Sequence, residues 1–379
     1  RKMVMAGMKT IKMILTNGFN PDPRVYKEAK TLVEAGHDVE ILCWDRENEF
    51  AGKSFETLDG IKVKRFFPEA QYGSGYRQIL ALIKFIIEVR NYLKDKEYDA
   101  LHCHDFDGLF VGSKICNASK GIKLIYDEHD LFYQYFMNRP GPVNRFIYNY
   151  IIKKEKEILE KVHTHIVVTS NMASLYSNSN NIVVINNAPY KNMFKDNKKH
   201  DRDKPVIGFI GGVRHYKELK LLIDVSAEFE KEIDIIIAGR GVGLERVEKY
   251  CGLRNNKNVS ITGGFEMAEL EKLYKNIDVA YLIYPRTAIV SMPNKFFESI
   301  VTETPIIADV NTEFGQIVKE KGFGFVVDSD FDMQSQLKDI FTKLVENNDV
   351  LNNFKFNMAN VKNEYYWENN VEALLNIYR

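Results

Sequence analysis

Cysteine is scarce in this chain, with four among 379 residues: Cys43, Cys103, Cys116 and Cys251. Each stands alone in an apolar context without paired spacing. That pattern excludes a disulfide framework and a cysteine-based zinc site, and it fits reduced thiols in a cytoplasmic protein. Net charge is missing too, because 52 lysines and arginines meet 52 aspartates and glutamates. A general nucleic-acid binder carries a basic excess, so that class is excluded while local basic clusters stay open. No apolar run approaches the ~18 residues that span a bilayer, and the opening Arg1–Gly7 is too short for a signal peptide. Internal repeats and long low-complexity stretches are absent. A soluble protein is expected.

What is present is the composition of a packed protein, 45% apolar, at a length suited to two domains. Short β-branched runs alternate with amphipathic helical patterns. Strands are expected at Ile11–Leu15, Val39–Cys43, Ala100–Cys103, Lys123–Tyr126, Ile166–Thr169 and Val183–Ile185, with clear helices at Val25–Ala35 and Gly108–Ala118. The polar, basic stretch Lys191–Lys204 reads as a linker, after which the alternation restarts at Val206–Ile210, Ile233–Ala238, Val259–Thr262, Val279–Leu282, Pro305–Ala308 and Gly324–Val327. Strands separated by helices imply parallel sheets covered on both faces. The expected fold is α/β, two doubly wound Rossmann-like domains facing a central cleft. The first is placed at 8–190 and the linker at 191–204. The second domain follows at 205–360, with a terminal segment at 361–379 around a helix near Trp367–Tyr378. Ligands in such sheets bind outside the carboxyl ends of the strands.

The run Ser291-Met292-Pro293-Asn294-Lys295-Phe296-Phe297-Glu298 carries the most chemistry. A loop with Pro293 enters a helix, where the N–H groups of the first turn point outward and the helix dipole favours an anion. Glu298 lies about one and a half turns in, where it can face the same side and accept hydrogen bonds from hydroxyls. An anion seat beside a hydroxyl-binding carboxylate suits a nucleotide diphosphate sugar. An ordinary capped helix with a surface Glu fits the run equally well. Pro293 to Glu298, followed by Thr304-Pro305-Ile306-Ile307-Ala308, resembles the donor-site segment of family-4 retaining glycosyltransferases of the GT-B fold. Other segments agree in order: Asn20-Pro21-Asp22-Pro23-Arg24-Val25 with Lys27-Glu28-Ala29 and Gly36-His37-Asp38-Val39, then Tyr126 to Asp130, then Gly211-Gly212-Val213-Arg214 with Lys217, then Ala238-Gly239. The similarity runs through roughly residues 11 to 378. One position departs: the family usually carries a second Glu eight residues before the one matching Glu298, and this chain has Val290 there.

The first-half candidates sit at strand ends. Thr16 to Asn20 follows the first strand, and Gly18 would let backbone N–H groups approach a phosphate or sugar closely, although a plain turn is the commoner use. Arg24 in the next helix either pairs with a nearby carboxylate or binds an anionic substrate; the resemblance implies that Asn20 and Arg24 bind acceptor. It also gives His129 the role of touching the transferred sugar, whereas a histidine capping a helix start is the alternative. Its neighbours Asp127, Glu128 and Asp130 would raise its pKa. His102 and His104 share one strand face, and with Asp105 or Asp107 they could ligate a metal. Asp105-Phe106-Asp107 also resembles the acidic metal triplet of the other glycosyltransferase fold, a short pattern that is common by chance and recurs at Asp201-Arg202-Asp203.

In the second half, Gly211-Gly212 permit close approach and Arg214 with Lys217 supply positive charge, the role the resemblance gives them for the diphosphate. Gly239-Arg240-Gly241-Val242-Gly243 lacks the spacing of a dinucleotide fingerprint and is read as a loop near the nucleotide; Gly264 is expected beside the base. The donor set is therefore Gly18, Gly212, Arg214, Lys217, Gly239, Gly264, Pro293, Asn294, Lys295 and Glu298, and the catalytic set His129, Arg214 and Lys217. As the glycosidic bond breaks, charge gathers on the leaving diphosphate, and preorganised N–H groups and cations are usually the largest catalytic term. Transfer with retained configuration, without cofactor or metal, from a uridine diphosphate sugar by default to a glycan or lipid-linked hydroxyl is what the resemblance implies, as in cell-surface polysaccharide synthesis. The rivals are a nucleotide-sugar epimerase, which would form an epimer without acceptor, and a non-catalytic sugar- or lipid-binding protein, which would show no turnover. Two basic-apolar stretches, Arg77–Lys96 and Arg139–Lys156, read either as core helices with solvated basic faces or as helices lying on an anionic membrane at its inner face.

Overall fold

The computed structural model describes residues 7–20, 22–71, 78–116, 121–137, 141–176, 181–195, 199, 202–285, 292–347 and 349–379. Val290 and Ser291 lie outside these, as do Pro21, Arg77, Ala118, Arg139 and Asp201. The chain forms two compact units, Arg1–Asn186 with Asn370–Arg379, and Asn187–Asn369. The stretch 191–204, read as a linker, groups with the second unit, and of 361–379 only the last ten residues group with the first.

The first unit runs β1 (Thr10–Leu15), α1 (Pro23–Glu34), β2 (Asp38–Trp44), β3 (Phe55–Leu58), β4 (Ile61–Phe66), α2 (Ile79–Leu93), β5 (Ala100–His104), α3 (Asp105–Ile115), β6 (Lys123–Glu128), α4 (Gln134–Met137), α5 (Pro142–Leu159), β7 (Thr164–Val167), α6 (Ser170–Ser174) and β8 (Ile182–Val184). Its sheet has the order β3-β4-β2-β1-β5-β6-β7-β8. All pairs are parallel except the β3–β4 hairpin. Strands covered on both faces read as continuous apolar runs, and β1 and β2 are buried almost throughout. Lys12 and Glu40 are tolerated there because they are register partners across β1 and β2 and pair at 2.6 Å. Asp22 starts α1 by accepting from the N–H of Arg24 at 3.1 Å and of Val25 at 3.3 Å, with Pro23 at the first helical position. On the other side of the chain's first crossover, α3 packs against α2 and α5, and α1 packs against the C-terminal helix Val371–Asn376. The core there centres on Trp44, Phe85, Leu101 and Tyr126.

The hairpin was not expected. Its turn is Asp59-Gly60 with φ of 48° and 84°, the left-handed pair that suits a two-residue hairpin and that Asp-Gly favours. α3 begins at Asp105, earlier than the expected Gly108, because the strand ends directly in the helix with His104 as its capping residue.

The second unit runs β9 (Val206–Ile210), α7 (Tyr216–Ser226), β10 (Asp234–Ala238), α8 (Leu244–Arg254), β11 (Val259–Gly263), α9 (Leu270–Lys275), β12 (Val279–Leu282), α10 (Asn294–Val301), β13 (Ile306–Asp309), α11 (Glu313–Lys321), β14 (Gly324–Val327), α12 (Met333–Glu346) and α13 (Val350–Val361). Its all-parallel sheet is ordered β11-β10-β9-β12-β13-β14. Alternate residues face opposite ways: Val206 and Ile210 join one apolar cluster, Ile207 and Phe209 the other. Each unit is thus a doubly wound parallel sheet. Among the described residues, no helix is long and apolar enough to cross a membrane.

Candidate functional site

In the second unit the loops after β9, β10 and β11 are laced together at the carboxyl edge. Gly211 N–H donates to Ala238 O at 2.7 Å, Gly239 N–H to Gly263 O at 2.6 Å, and Val213 N–H to Arg240 O at 2.8 Å. Gly239 needs to be glycine twice over: its φ is 149°, and a Cβ would lie 1.8 Å from Gly211 O. Arg214 precedes α7 and Lys217 lies in its first turn, both exposed. Arg240 lies across Gly264, whose added Cβ would meet Arg240 Nε at 1.8 Å, so that face of Gly264 is already covered.

Helix α10 closes the other flank. Pro293 is its capping residue, one position before the helix, and no side chain caps the N-terminus. Lys295 runs against Gly211, whose added Cβ would meet Lys295 Nζ at 2.6 Å, and that Nζ donates to Tyr284 Oη at 3.2 Å. The geometry therefore joins the glycine turn after β9 to the first turn of α10. Glu298 is half-buried and accepts from the Tyr274 hydroxyl at 2.9 Å, which fixes its carboxylate. Asn294 accepts from Asn187 at 2.6 Å. A surface hollow bounded by Lys204, Asp234, Lys257 and Asn258 lies at the amino ends of β9, β10 and β11, the opposite edge.

The first unit holds a buried charge network. Arg24, 2% exposed, grips Asp127 through Nε at 2.8 Å and a terminal nitrogen at 2.5 Å, and donates to Ile185 O at 2.8 Å. Asp127 also takes His129 Nε2 at 2.8 Å and His104 Nδ1 at 3.1 Å. Burial alone would raise the Asp127 carboxyl; the Arg24 and His129 charges outweigh it and hold the group well below its ordinary range. His129 follows the same logic in reverse. Burial would lower it, but Asp105, whose carboxylate lies 3.4 Å from Nδ1, and Asp127 raise it to about 10. Glu28, one turn after Arg24, is pushed up to about 8 by burial and by Asp127, against the pull of Arg24. His102 and His104 stack at 4.5 Å, and burial lowers both. His102 Nδ1 meets the Tyr378 hydroxyl at 2.7 Å.

The two histidines do share a face, as expected, but they point to Glu28 and Asp127 rather than to Asp105 and Asp107. Asp105 turns to His129, and Asp107 accepts from Thr16. Glu28, His102, His104 and Asp127 place ligand-type atoms within 4.8 Å of one another. A guanidinium already occupies the cation position among them, with Arg24 3.3 Å from Glu28 and bidentate on Asp127. Of the two alternatives for Arg24, the geometry shows the pairing with a nearby carboxylate, and its nitrogens are bonded inside the protein. Asn20 is exposed after β1. Gly18 gives its carbonyl to Arg65 at 2.9 Å, and its Cα faces Asp45, 3.2 Å from where a Cβ would be. The reading from sequence missed Glu28, Tyr274, Tyr284 and Tyr378. Glu28 had a signal in its four-residue spacing from Arg24; the tyrosines had none, since their partners lie far along the chain.

Two doubly wound α/β units of this kind are the architecture of a glycosyltransferase of the GT-B type. A family model described as Glycosyltransferase Family 4 matches residues 24–188, and one described as Glycosyl transferases group 1 matches 190–361. The chain belongs to the family-4 glycosyltransferases of the GT-B fold and is a transferase. Solved structures similar to it include sucrose-phosphate synthase from Thermosynechococcus elongatus, at 16% identity, 98% of each chain and a TM-score of 0.79. Another is Anabaena HepE in complex with UDP-glucose, at 14% identity, 97% of this chain, 98% of that one and a TM-score of 0.70. The catalytic domain of starch synthase IV from Arabidopsis thaliana, bound to ADP and acarbose, gives 12%, 98%, 99% and 0.67. At these identities the likeness is one of fold. No curated protein matches the sequence.

Proposed function

We propose that this enzyme transfers a sugar, with retained anomeric configuration, from a uridine diphosphate sugar to a hydroxyl of a glycan or lipid-linked acceptor, as in the synthesis of a cell-surface polysaccharide. One observation carries the reading: Lys295, on the uncapped first turn of α10, lies against Gly211, while Glu298 one turn later is held by Tyr274. Anion-binding N–H groups, a cation and a hydroxyl-binding carboxylate thereby converge on one sheet edge. Uridine is favoured because HepE carries UDP-glucose; the ADP of starch synthase IV marks the alternative base.

In this reading Glu298 holds the ribose hydroxyls. Arg214, Lys217, Lys295 and the N–H groups following Pro293, with Asn294, receive the diphosphate and stabilise its growing charge as the glycosidic bond breaks. Gly212 and Gly239 let the nucleotide approach the backbone, and Gly264 borders the base with Arg240 laid across it. His129 donates to the transferred sugar, the Gly18 turn belongs to the donor set, and Asn20 contacts acceptor. Arg24 acts on none of these directly; it positions Asp127. The leaving phosphate takes the acceptor's proton on the face it departs from, so no protein nucleophile and no metal is required.

Calorimetric titration with UDP, GDP and ADP, followed by product analysis with the matching sugar donors, tests this. Binding of UDP that Glu298→Gln weakens, and product with the donor's anomeric configuration, are expected. Inverted product would overturn retention. Epimer formed without acceptor would make the protein an epimerase, and donor binding with no turnover on any hydroxyl acceptor would leave only a binding protein.

A further inference from the structure

We infer that the outer face formed by α2 and α5 of the first unit is a docking surface for an anionic lipid bilayer. Helix α2 is apolar on two sides. Ala81, Phe85, Val89 and Leu93 form the stripe buried in the core. On the other side Ile79, Leu80, Ile83 and Ile87 are exposed at helical spacing, Leu80 by 74%. Helix α5 repeats the arrangement: Ile151 and Ile158 are buried, while Val143, Phe146 and Tyr150, at i, i+3 and i+7, are exposed, Phe146 by 72%. Single exposed apolar side chains need no explanation. Two periodic stripes in one helical layer do. Both helices pack against α3, which places them in the same layer of the first unit.

Charge chooses the occupant. Lys84 and Arg90 on α2, Lys114 on α3, and Arg145, Lys153 and Lys156 on α5 are exposed among or beside the apolar residues. Against them stand the exposed carboxylates Glu88, Glu157 and, at the end of α5, Glu160, since Glu155 is buried beneath α5. The face is therefore basic in a chain whose net charge is zero. Protein interfaces are depleted in lysine at their apolar centre, whereas lysine interleaved with large apolar side chains is the pattern of helices lying in a lipid headgroup layer. Apolar side chains enter the acyl boundary while the lysine and arginine heads meet phosphate. This inference stands on the exposed face of the first unit and is independent of the transfer reaction.

The test is co-sedimentation of the whole protein with phosphatidylcholine vesicles, with and without phosphatidylglycerol, across a range of salt. Sedimentation with the anionic vesicles that weakens with added salt is expected. Leu80→Ser and Phe146→Ser should each lower the partition coefficient roughly tenfold, with thermal stability and UDP affinity unchanged. Lys84→Glu with Lys153→Glu removes charge without touching an apolar contact and should lower it as well, steepest at low salt. Absence of sedimentation with anionic vesicles, or equal partition by wild type and all variants, overturns the inference. A dimer seen by light scattering that Phe146→Ser dissolves would also overturn it, assigning the face to a second copy of this chain.

Discussion

Replacing Arg24 by Met separates a structural role from a ligand-binding one. Methionine keeps much of the side-chain volume, so the loss is mainly electrostatic. The guanidinium makes two charged hydrogen bonds to Asp127, at 2.8 and 2.5 Å, and one to Ile185 O at 2.8 Å. Removing one partner of a buried ion pair costs about 3–5 kcal/mol because the other charge stays behind unpaired. Asp127 here keeps His129 at 2.8 Å and His104 at 3.1 Å, which places the pair's loss near the lower end, and the orphaned carbonyl adds about 1 kcal/mol. The expected destabilisation of the first unit is about 4 kcal/mol. Each unit contains one of the chain's two tryptophans, Trp44 and Trp367. A urea titration of Trp44 fluorescence in a Trp367→Phe background therefore reports the first unit alone. A fall in midpoint at constant slope would measure the effect as stability. A loss below about 1 kcal/mol, with acceptor affinity abolished, would refute the reasoning and return Arg24 to the substrate.

Glu298→Gln keeps the shape of its side chain and removes the charge; since charge-assisted hydrogen bonds are roughly twice as strong as neutral ones, UDP affinity measured by calorimetry should fall about tenfold in a folded protein. Lys217→Ala should weaken UDP binding and slow transfer with melting temperature unchanged, and wild-type UDP affinity would remove Lys217 from the site. Turnover should persist in chelator; activity lost in EDTA and restored by manganese or magnesium would move the chemistry to Asp105 and Asp107. Glu28→Gln reports on pH. The Glu28 pKa rises from 4.5 to about 8 on folding, so its contribution is fully present below about pH 4.5 and lost as pH rises through about 8. The glutamine variant escapes that loss, and its stability relative to wild type in urea titrations should improve between pH 5 and pH 9, as order-of-magnitude limits of that window. An unchanging difference would mean that Glu28 is ionised throughout.

Most of the architecture was legible because parallel strands announce themselves as short β-branched runs. The expected spans Val206–Ile210, Val279–Leu282 and Gly324–Val327 coincide with β9, β12 and β14. The hairpin β3–β4 was legible too, through Asp59-Gly60 between alternating residues, but a short antiparallel edge is masked in a chain that otherwise alternates strand and helix. The network around Asp127 was only half legible. His129 and its acidic neighbours are adjacent in sequence, so their mutual effect could be read directly. The reach of Arg24 to Asp127 spans 103 residues, and that of His102 to Tyr378 spans 276. Such pairings are set by sheet order, which brings β1, β5 and β6 side by side, and no local pattern encodes them. In the second unit Lys295 was visible in the motif, while its contact with Gly211 depends on β9 and β12 being neighbours.

The buried charges of the first unit acquire a purpose when traced from Asp127 outward. A carboxylate with no exposure is costly unless its oxygens are fully used, and this one serves Arg24, His104 and His129 together. Arg24 is locked on α1, His104 ends β5, and Asp127 itself lies on β6, so three elements of the sheet's carboxyl edge fix one group. His129 hangs from that group by Nε2. Its other nitrogen has the longer contact to Asp105, at 3.4 Å, which a hydroxyl could replace without disturbing the Asp127 bond. Asp105 and Asp127 together raise the imidazole to about 10 against the effect of burial, which favours the doubly protonated ring with Nδ1 as a donor at neutral pH. Within the proposed transfer that suits a group which holds a sugar hydroxyl, the role proposed for His129, with the departing phosphate taking the acceptor's proton.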